Sequence, residues 1–456
     1  MTSPAGSDGG HGPAPAIVHD VLRLFLAAGD PTPRGIDRVD FAYVRFLCDE
    51  WPGPFHGVLP TPLGPRLIDR ARIKGGLQAL RALWREDIDP ATDPTFIYVR
   101  DRLLAPQTSA QAAQAPAPQA PATQGPATPA RAAFARFREL GQHAGLSLGG
   151  DALCHAPRGA LYLNVGQIGW AAPMTTLWLA RRPDIRPVFM LHDTIPVENR
   201  ELVSFLGHWT HRMMLQTVAR RGAALISTTE NAAVAVQTAL ARRGRGAMPC
   251  FRAPLPVSSA FLAPPPPDPA LARRPYFLVC GAIEPRKNLA LLLDVWRTLA
   301  PDFVGPAPAL VVAGALARRG EEILPRLRAG GPDIIVATAL STPALRQLMA
   351  HARALLMPSL AEGFGLPIIE ALTLGTPVLA SALPAHREAG GEFPLYLDPC
   401  DPAAWRAEIL RLASDPQHHA ALQQRLRAYK PLTEARYFAS AGRFLRDLAQ
   451  HAASGA

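Results

Sequence analysis

Lysine is nearly missing from this 456-residue chain: of its 47 basic residues only Lys74, Lys287 and Lys430 are lysine, and the rest are arginine. With abundant alanine and 48 prolines, that skew reads as a compositional bias. The formal charge of +10 therefore argues only mildly for anionic substrates or an acidic membrane face, and not for nucleic acid. Cysteine is scarce too. Cys48, Cys154, Cys250, Cys280 and Cys400 show neither metal-ligand spacing nor the density of a disulfide scaffold, which suits reduced thiols in a cytosolic protein. No segment reaches the roughly 18 apolar residues of a membrane helix, and Met1 to Ala16 lacks the apolar centre of a signal peptide or anchor. No Asp-x-Asp pair is read as the anchor of a catalytic divalent ion. The expectation is a cytoplasmic chain, at most peripheral to the cytoplasmic membrane.

What is present is most informative at Pro358-Ser-Leu-Ala-Glu-Gly-Phe-Gly-Leu-Pro-Ile-Ile-Glu370. Ala354 to Met357 suit a short buried strand, Gly363 and Gly365 permit positive φ and close backbone approach, and Pro367 suits the first turn of a helix. A helix start at the carboxyl edge of a parallel sheet offers free N–H groups and a positive dipole end to phosphates. Glu362 in the loop and Glu370 in the helix accept hydrogen bonds when ionised, which suits the hydroxyls of a sugar and a ribose. A solvated turn with one helix-start glutamate is the plainer alternative.

A second strand, from Tyr276, breaks at Gly281 and leads through Arg286-Lys287 to a helix from about Asn288 to Leu299. Two adjacent cations there can neutralise a diphosphate, arginine as a fork and lysine as a point charge. Beyond 264–274, a Pro-rich hinge, strand and helix signals alternate, with strands near 276–281, 309–314, 333–337, 354–358 and 377–380. This is the pattern of a doubly wound parallel sheet. Before the hinge, strands near 160–164, 187–191, 223–227 and 250–254 give a looser version. The reading divides the chain into a flexible tail (1–15), a first α/β domain (16–263) with a disordered Ala/Pro/Gln insertion at 105–130, the hinge, and a second α/β domain (275–430). A final helix over 431–456 either caps the second domain or crosses back to the first.

Three features of the first domain are placed to reach a cleft. Gly35, in Arg34-Gly-Ile-Asp-Arg38, can bring backbone N–H groups to a phosphate, or merely open a helix beside a solvated arginine. His192-Asp193 follows a strand, where His192 can meet a sugar hydroxyl and Asp193 can orient it or cap the next segment. Asn164 to Trp170 offers amides and an aromatic platform, unless Trp170 is core.

Together these motifs resemble the retaining glycosyltransferases of family four, with the GT-B fold of two Rossmann-like domains facing across a cleft. The resemblance is strongest from Tyr276 to Pro399, where Glu362 and Glu370 have the E-x7-E form. Gly35-Ile-Asp-Arg-Val and Leu191-His-Asp-Thr-Ile-Pro196 are similar to a subgroup that builds bacterial O-antigen, capsule or exopolysaccharide and includes mannosyltransferases. The resemblance implies that Arg286 and Lys287, beside Gly281, hold the donor diphosphate. Glu362 with the Gly363, Phe364, Gly365 and Leu366 backbone would hold the donor sugar, Glu370 the ribose, His192 would face the sugar, and Gly35 would approach the phosphates. It implies same-face attack on a nucleotide sugar such as GDP-mannose or a UDP-hexose, with no metal or other cofactor and a glycan or polyprenyl-linked acceptor. Many relatives carry an arginine directly after the strand-ending glycine, where Ala282 stands here, and Arg286 is read as its substitute. Two other readings keep the same donor site: a GT-B sugar-nucleotide epimerase or hydrolase, and a non-catalytic nucleotide-sugar scaffold.

Overall fold

The computed structural model describes residues 13–30, 32–61, 64–105, 149–299, 303, 307–317 and 319–453. The expected insertion at 105–130 lies, from residue 106 on, outside the described residues, as does the expected tail up to residue 12.

Short strands build the two sheets, uninterrupted apolar runs in most of the second and apolar residues mixed with polar ones in much of the first. In the first domain these are β1 (Ile17–Asp20), β2 (Phe55–Thr61), β3 (Gly64–Asp69), β4 (Leu161–Asn164), β5 (Arg186–Leu191), β6 (Ala224–Ser227) and β7 (Cys250–Arg252). Their order is β3-β2-β1-β4-β5-β6-β7, parallel except for β3, which pairs antiparallel with β2. The second sheet holds β8 (Tyr276–Cys280), β9 (Ala309–Ala313), β10 (Ile334–Ala337), β11 (Ala354–Met357), β12 (Val378–Ser381) and β13 (Leu395–Leu397). Its order is β10-β9-β8-β11-β12-β13, all parallel. Strands such as Ala-Leu-Val-Val-Ala and Ala-Leu-Leu-Met are buried at every position, as parallel strands covered on both faces must be. In each sheet the order in which successive strands are added reverses once, between β1 and β4 and between β8 and β11. At such a switch point the loops leaving the two central strands diverge and open a crevice.

Helices of the second domain start where the sequence supplies a proline in the first turn, as in Thr342–His351, Leu366–Thr373 and Pro384–Gly390. The inner layers of the two domains form one continuous apolar cluster, which includes Val44, Trp84 and Phe96 from the first and Ile335, Leu348 and Ile368 from the second. Two elements clasp the junction. Helix Pro94–Leu104 belongs to the first half of the chain but buries Phe96, Val99 and Leu103 in that shared cluster, and at its start the fully buried Asp93 accepts a hydrogen bond from Ser341 N at 2.9 Å. Helix Glu434–Ala453 packs on the first domain. There Phe438 stacks on Phe46 with centroids 4.6 Å apart, and the Tyr437 and Tyr43 hydroxyls lie 2.7 Å apart.

Candidate functional site

The loops after β8 and β11 are stitched together at the switch point, with Leu360 N donating to Arg286 O at 2.8 Å. Past β8 the chain turns at Gly281 and makes a single 3-10 turn, Pro285–Lys287, closed by Asn288 in the left-handed region (φ 53°). Lys287 is folded back over Gly281: a Cβ there would stand 3.0 Å from Nζ. Arg286 and Lys287 then converge on one carboxylate. Glu362 accepts from Arg286 Nη1 at 2.6 Å, from Lys287 Nζ at 2.5 Å and from Ser359 Oγ at 2.7 Å. Arg286 also pairs with Glu284 at 2.6 Å.

The two glycines of this loop do different work. Gly365, the residue before helix Leu366–Thr373, has φ +116°, where a side chain is strained. Gly363 is instead a point of contact, since a Cβ would lie 2.9 Å from both Asp193 Oδ2 and His192 O of the other domain. Phe364 is buried between them, and Glu370 is wholly buried one turn into the helix.

Burial would raise the Glu362 carboxyl, but the fields of Arg286, Lys287 and then His386 outweigh it and hold Glu362 well below the usual carboxylate range. Glu370 moves the other way: burial raises it, against the opposing charge and hydrogen bond of Arg38. Arg38, from helix Gly35–Asp49 of the first domain, reaches across to Glu370 Oε1 at 2.5 Å, while Glu370 Oε2 has no hydrogen-bond partner among the described residues. Gly35 comes against the same helix, Leu366–Thr373, its added Cβ lying 3.3 Å from Leu366 Cδ1. His192 is buried, which lowers it to about 4 despite its bond to Val165 O at 3.2 Å; at neutral pH it is an uncharged imidazole. Asp193 is pushed up to about 6 by burial, opposed by Arg286, and its Oδ1 accepts from Ile195 N at 3.1 Å. That is the capping role offered for it from sequence.

Residues 267–429 match the family described as "Glycosyl transferases group 1". This stretch is a group 1 glycosyltransferase domain. The chain is 33% identical over 147 residues to O-antigen chain mannosyltransferase B of Escherichia coli, covering 32% of this chain and 38% of that protein. It is 29% identical over 143 residues to the O-antigen chain mannosyltransferase RfbU of Salmonella typhimurium, covering 31% and 39%. The match thus spans less than two fifths of each relative's length. Among solved structures, Anabaena Alr3699/HepE in complex with UDP-glucose overlays 97% of this chain and 100% of its own, with TM-score 0.55 and 14% identity. The fold is GT-B, as the resemblance implied.

Of the sequence-expected residues, Gly281, Arg286, Lys287, Glu362, Gly363, Phe364, Gly365, Leu366 and Glu370 belong to the group 1 domain and share its switch point. Gly35 and His192 face it from the first domain. Trp170 is no platform: it is fully buried, with its ring centroid 4.6 Å from Phe189. Two residues escaped the sequence reading. Arg38 stood at the end of a motif already singled out but was given no role of its own. His386, buried and bonded through Nδ1 to Ser381 O at 2.9 Å, lies in helix Pro384–Gly390 just beyond β12, so a search of the segments that leave the carboxyl edge would have found it. Asp87-Ile-Asp89 has the Asp-x-Asp form, but Asp87 pairs with Arg81 and Asp89 caps the turn at Ala91. Among the described residues no group of three or more His, Cys, Asp or Glu side chains is disposed to hold a metal ion. A cavity of about 440 Å³ opens between the domains beside this cluster. It touches Arg38 and Leu366 but not Lys287, Glu362 or His192; Lys287 and Glu362 are bonded to each other, and the His192 backbone packs on Gly363.

Proposed function

We propose that the chain is a retaining, metal-independent hexosyltransferase. It takes a sugar, with mannose favoured, from a nucleoside diphosphate and passes it to a lipid-linked or nascent polysaccharide acceptor at the cytoplasmic face of a membrane. The observation that carries this reading is the convergence of Arg286 and Lys287 on Glu362 at the β8/β11 switch point, with Glu370 one helical turn beyond. The names of the mannosyltransferase relatives support the sugar and the glycan acceptor.

In this reading the two cations and the N–H groups at the start of helix Leu366–Thr373 take up the charge that develops on the departing diphosphate. They are fixed in advance by Glu362, Glu284 and the Leu360 backbone, so little reorganisation is required as charge develops. When the diphosphate arrives, Glu362 gives up part of its hold on Arg286 and Lys287 and turns its acceptor oxygens to the sugar hydroxyls. Glu370 exchanges Arg38 for the ribose. Neutral His192 serves as a hydrogen-bond donor to the sugar. The leaving phosphate itself takes the acceptor proton, so no protein nucleophile is assigned. Among the described residues no helix is long and apolar enough to cross a membrane.

Incubating the purified chain with a panel of nucleotide sugars, with and without a polyprenyl-diphosphate-linked glycan, tests the reading. Transfer to the lipid-linked acceptor, with retention at the anomeric carbon, is expected, and full activity after exhaustive treatment with EDTA. Product formed without acceptor would replace the reading with an epimerase or hydrolase, and binding without turnover with a scaffold.

A further inference from the structure

Helix Phe205–Arg221 carries no acidic residue and ends in Arg220 and Arg221. Spacings of three and four residues set Phe205, Trp209, Arg212, Gln216 and Arg220 along one outward stripe. The apolar end of that stripe is bare. Phe205 is 73% exposed, Leu206 53% and Trp209 48%, while Leu177 on the adjoining helix Pro173–Ala180 is 53% exposed. The basic end is exposed at Arg212 and Arg220. Aromatic side chains followed by arginines, with no carboxylate between them, match the layers of an anionic bilayer surface, where acyl chains lie beneath phosphates. A second copy of the chain fits less well, because a two-fold contact centred on this stripe would bring Arg212, near its middle, against its own copy, a repulsion that lipid phosphates avoid.

The same helix reaches the candidate site. His208 Nδ1 lies 2.7 Å from Pro196 O, and the buried ring of His211 interacts with the Asp193 backbone. From Phe205 to His211 is about 9 Å of helix. A surface seated on Phe205 and Trp209 therefore lies close to the His192-Asp193 edge.

We propose that this stripe is a membrane-docking surface: Phe205, Leu206 and Trp209 enter the acyl-headgroup boundary of an anionic phospholipid bilayer, and Arg212 and Arg220 meet its phosphates. Its purpose rests on the lipid-linked-acceptor reading above, but its detection does not. Of the seven tryptophans, Trp209 alone is exposed, the other six being at most 5% exposed, so its emission reports the contact directly.

The test is flotation of the full chain with vesicles of phosphatidylcholine containing phosphatidylglycerol, or of phosphatidylcholine alone, together with tryptophan emission. Binding to the anionic vesicles and a blue shift that disappears in Trp209→Phe are expected. Phe205→Ser with Trp209→Ser, and separately Arg212→Glu with Arg220→Glu, should each weaken binding by roughly tenfold or more. Melting temperature and GDP or UDP binding, measured without lipid, should stay at the wild-type level in every variant. No vesicle binding, a blue shift that persists in Trp209→Phe, or a dimer that Phe205→Ser with Trp209→Ser dissolves would each overturn the proposal. Vesicle binding by a chain that turns over no nucleotide sugar would leave the surface standing and remove the transferase reading.

Discussion

At the scale of single residues the site is a set of charges that satisfy one another. Lys287 and Arg286 share Glu362, so removing the lysine leaves the carboxylate with a partner and the fold with its core. Lys287→Ala should abolish most transfer with little change in melting temperature; activity near the wild-type level would refute the diphosphate role. If ribose and sugar are divided between the two glutamates, Glu370→Ala raises the donor KM more than Glu362→Ala does, and indistinguishable kinetic profiles would defeat that division. Arg38 is the residue whose role the structure changed most, because it partners an otherwise isolated buried carboxylate. Breaking such a pair strands a charge. Arg38→Met should destabilise the chain by on the order of 1–3 kcal/mol, and adding Glu370→Gln should recover much of that loss in a double-mutant cycle. Additive effects of the two changes would show that the pair is not coupled.

At the scale of elements, the decisive one is the loop and helix start after β11. Gly365 adopts φ +116° and leads directly into Leu366 and Pro367, so the backbone N–H groups are aimed by a conformation that other residues resist. Gly365→Ala should cost about 1–2 kcal/mol in stability and weaken nucleotide binding, as read by denaturation and calorimetry; an unchanged binding constant would mean that the helix start does not contact the nucleotide. The β8 and β11 strands and their loops were legible in the sequence because buried parallel strands are continuous apolar runs, here ended by Gly281 after β8 and by Pro358 after β11. In contrast β1, β2 and β3 were not foreseen. Ile17–Asp20 ends in two polar residues that the fold buries, and β3 runs antiparallel to β2, outside the strand-helix-strand rhythm. Likewise, nothing local marks Pro94–Leu104 as a clasp, since its partner Ser341 is more than two hundred residues away and only tertiary packing joins them.

At the scale of the whole molecule, the junction between the domains is held by hydrogen bonds and close packing, and burial shifts the titration of two groups beside it, His211 and Asp193. Glu388 caps helix Glu230–Ala241 of the other domain through Asn231 N at 3.0 Å, Thr228 donates to Gly363 O at 3.3 Å, and the His192-Asp193 segment packs on Gly363 with His211 behind it. His211 is lowered to about 4, by burial first and then against the raising effect of the Asp193 backbone. Because its folded value lies below the ordinary 6.5, the unfolded chain takes up the proton first as pH falls. The stability this ring contributes is therefore whole above pH 6.5 and lost progressively down to about pH 4. Asp193, raised to about 6, acts in the opposite sense, contributing below its ordinary 3.8 and losing that contribution as pH rises through 6. A wild-type profile alone would blend the two. The difference between wild type and His211→Asn isolates the ring. Any advantage of the wild type at pH 7 should shrink by about 2–3 kcal/mol by pH 4.5, as read by urea denaturation at each pH. A constant difference across that range would mean that His211 titrates as in an unfolded chain, and that acid does not act on the junction through this ring.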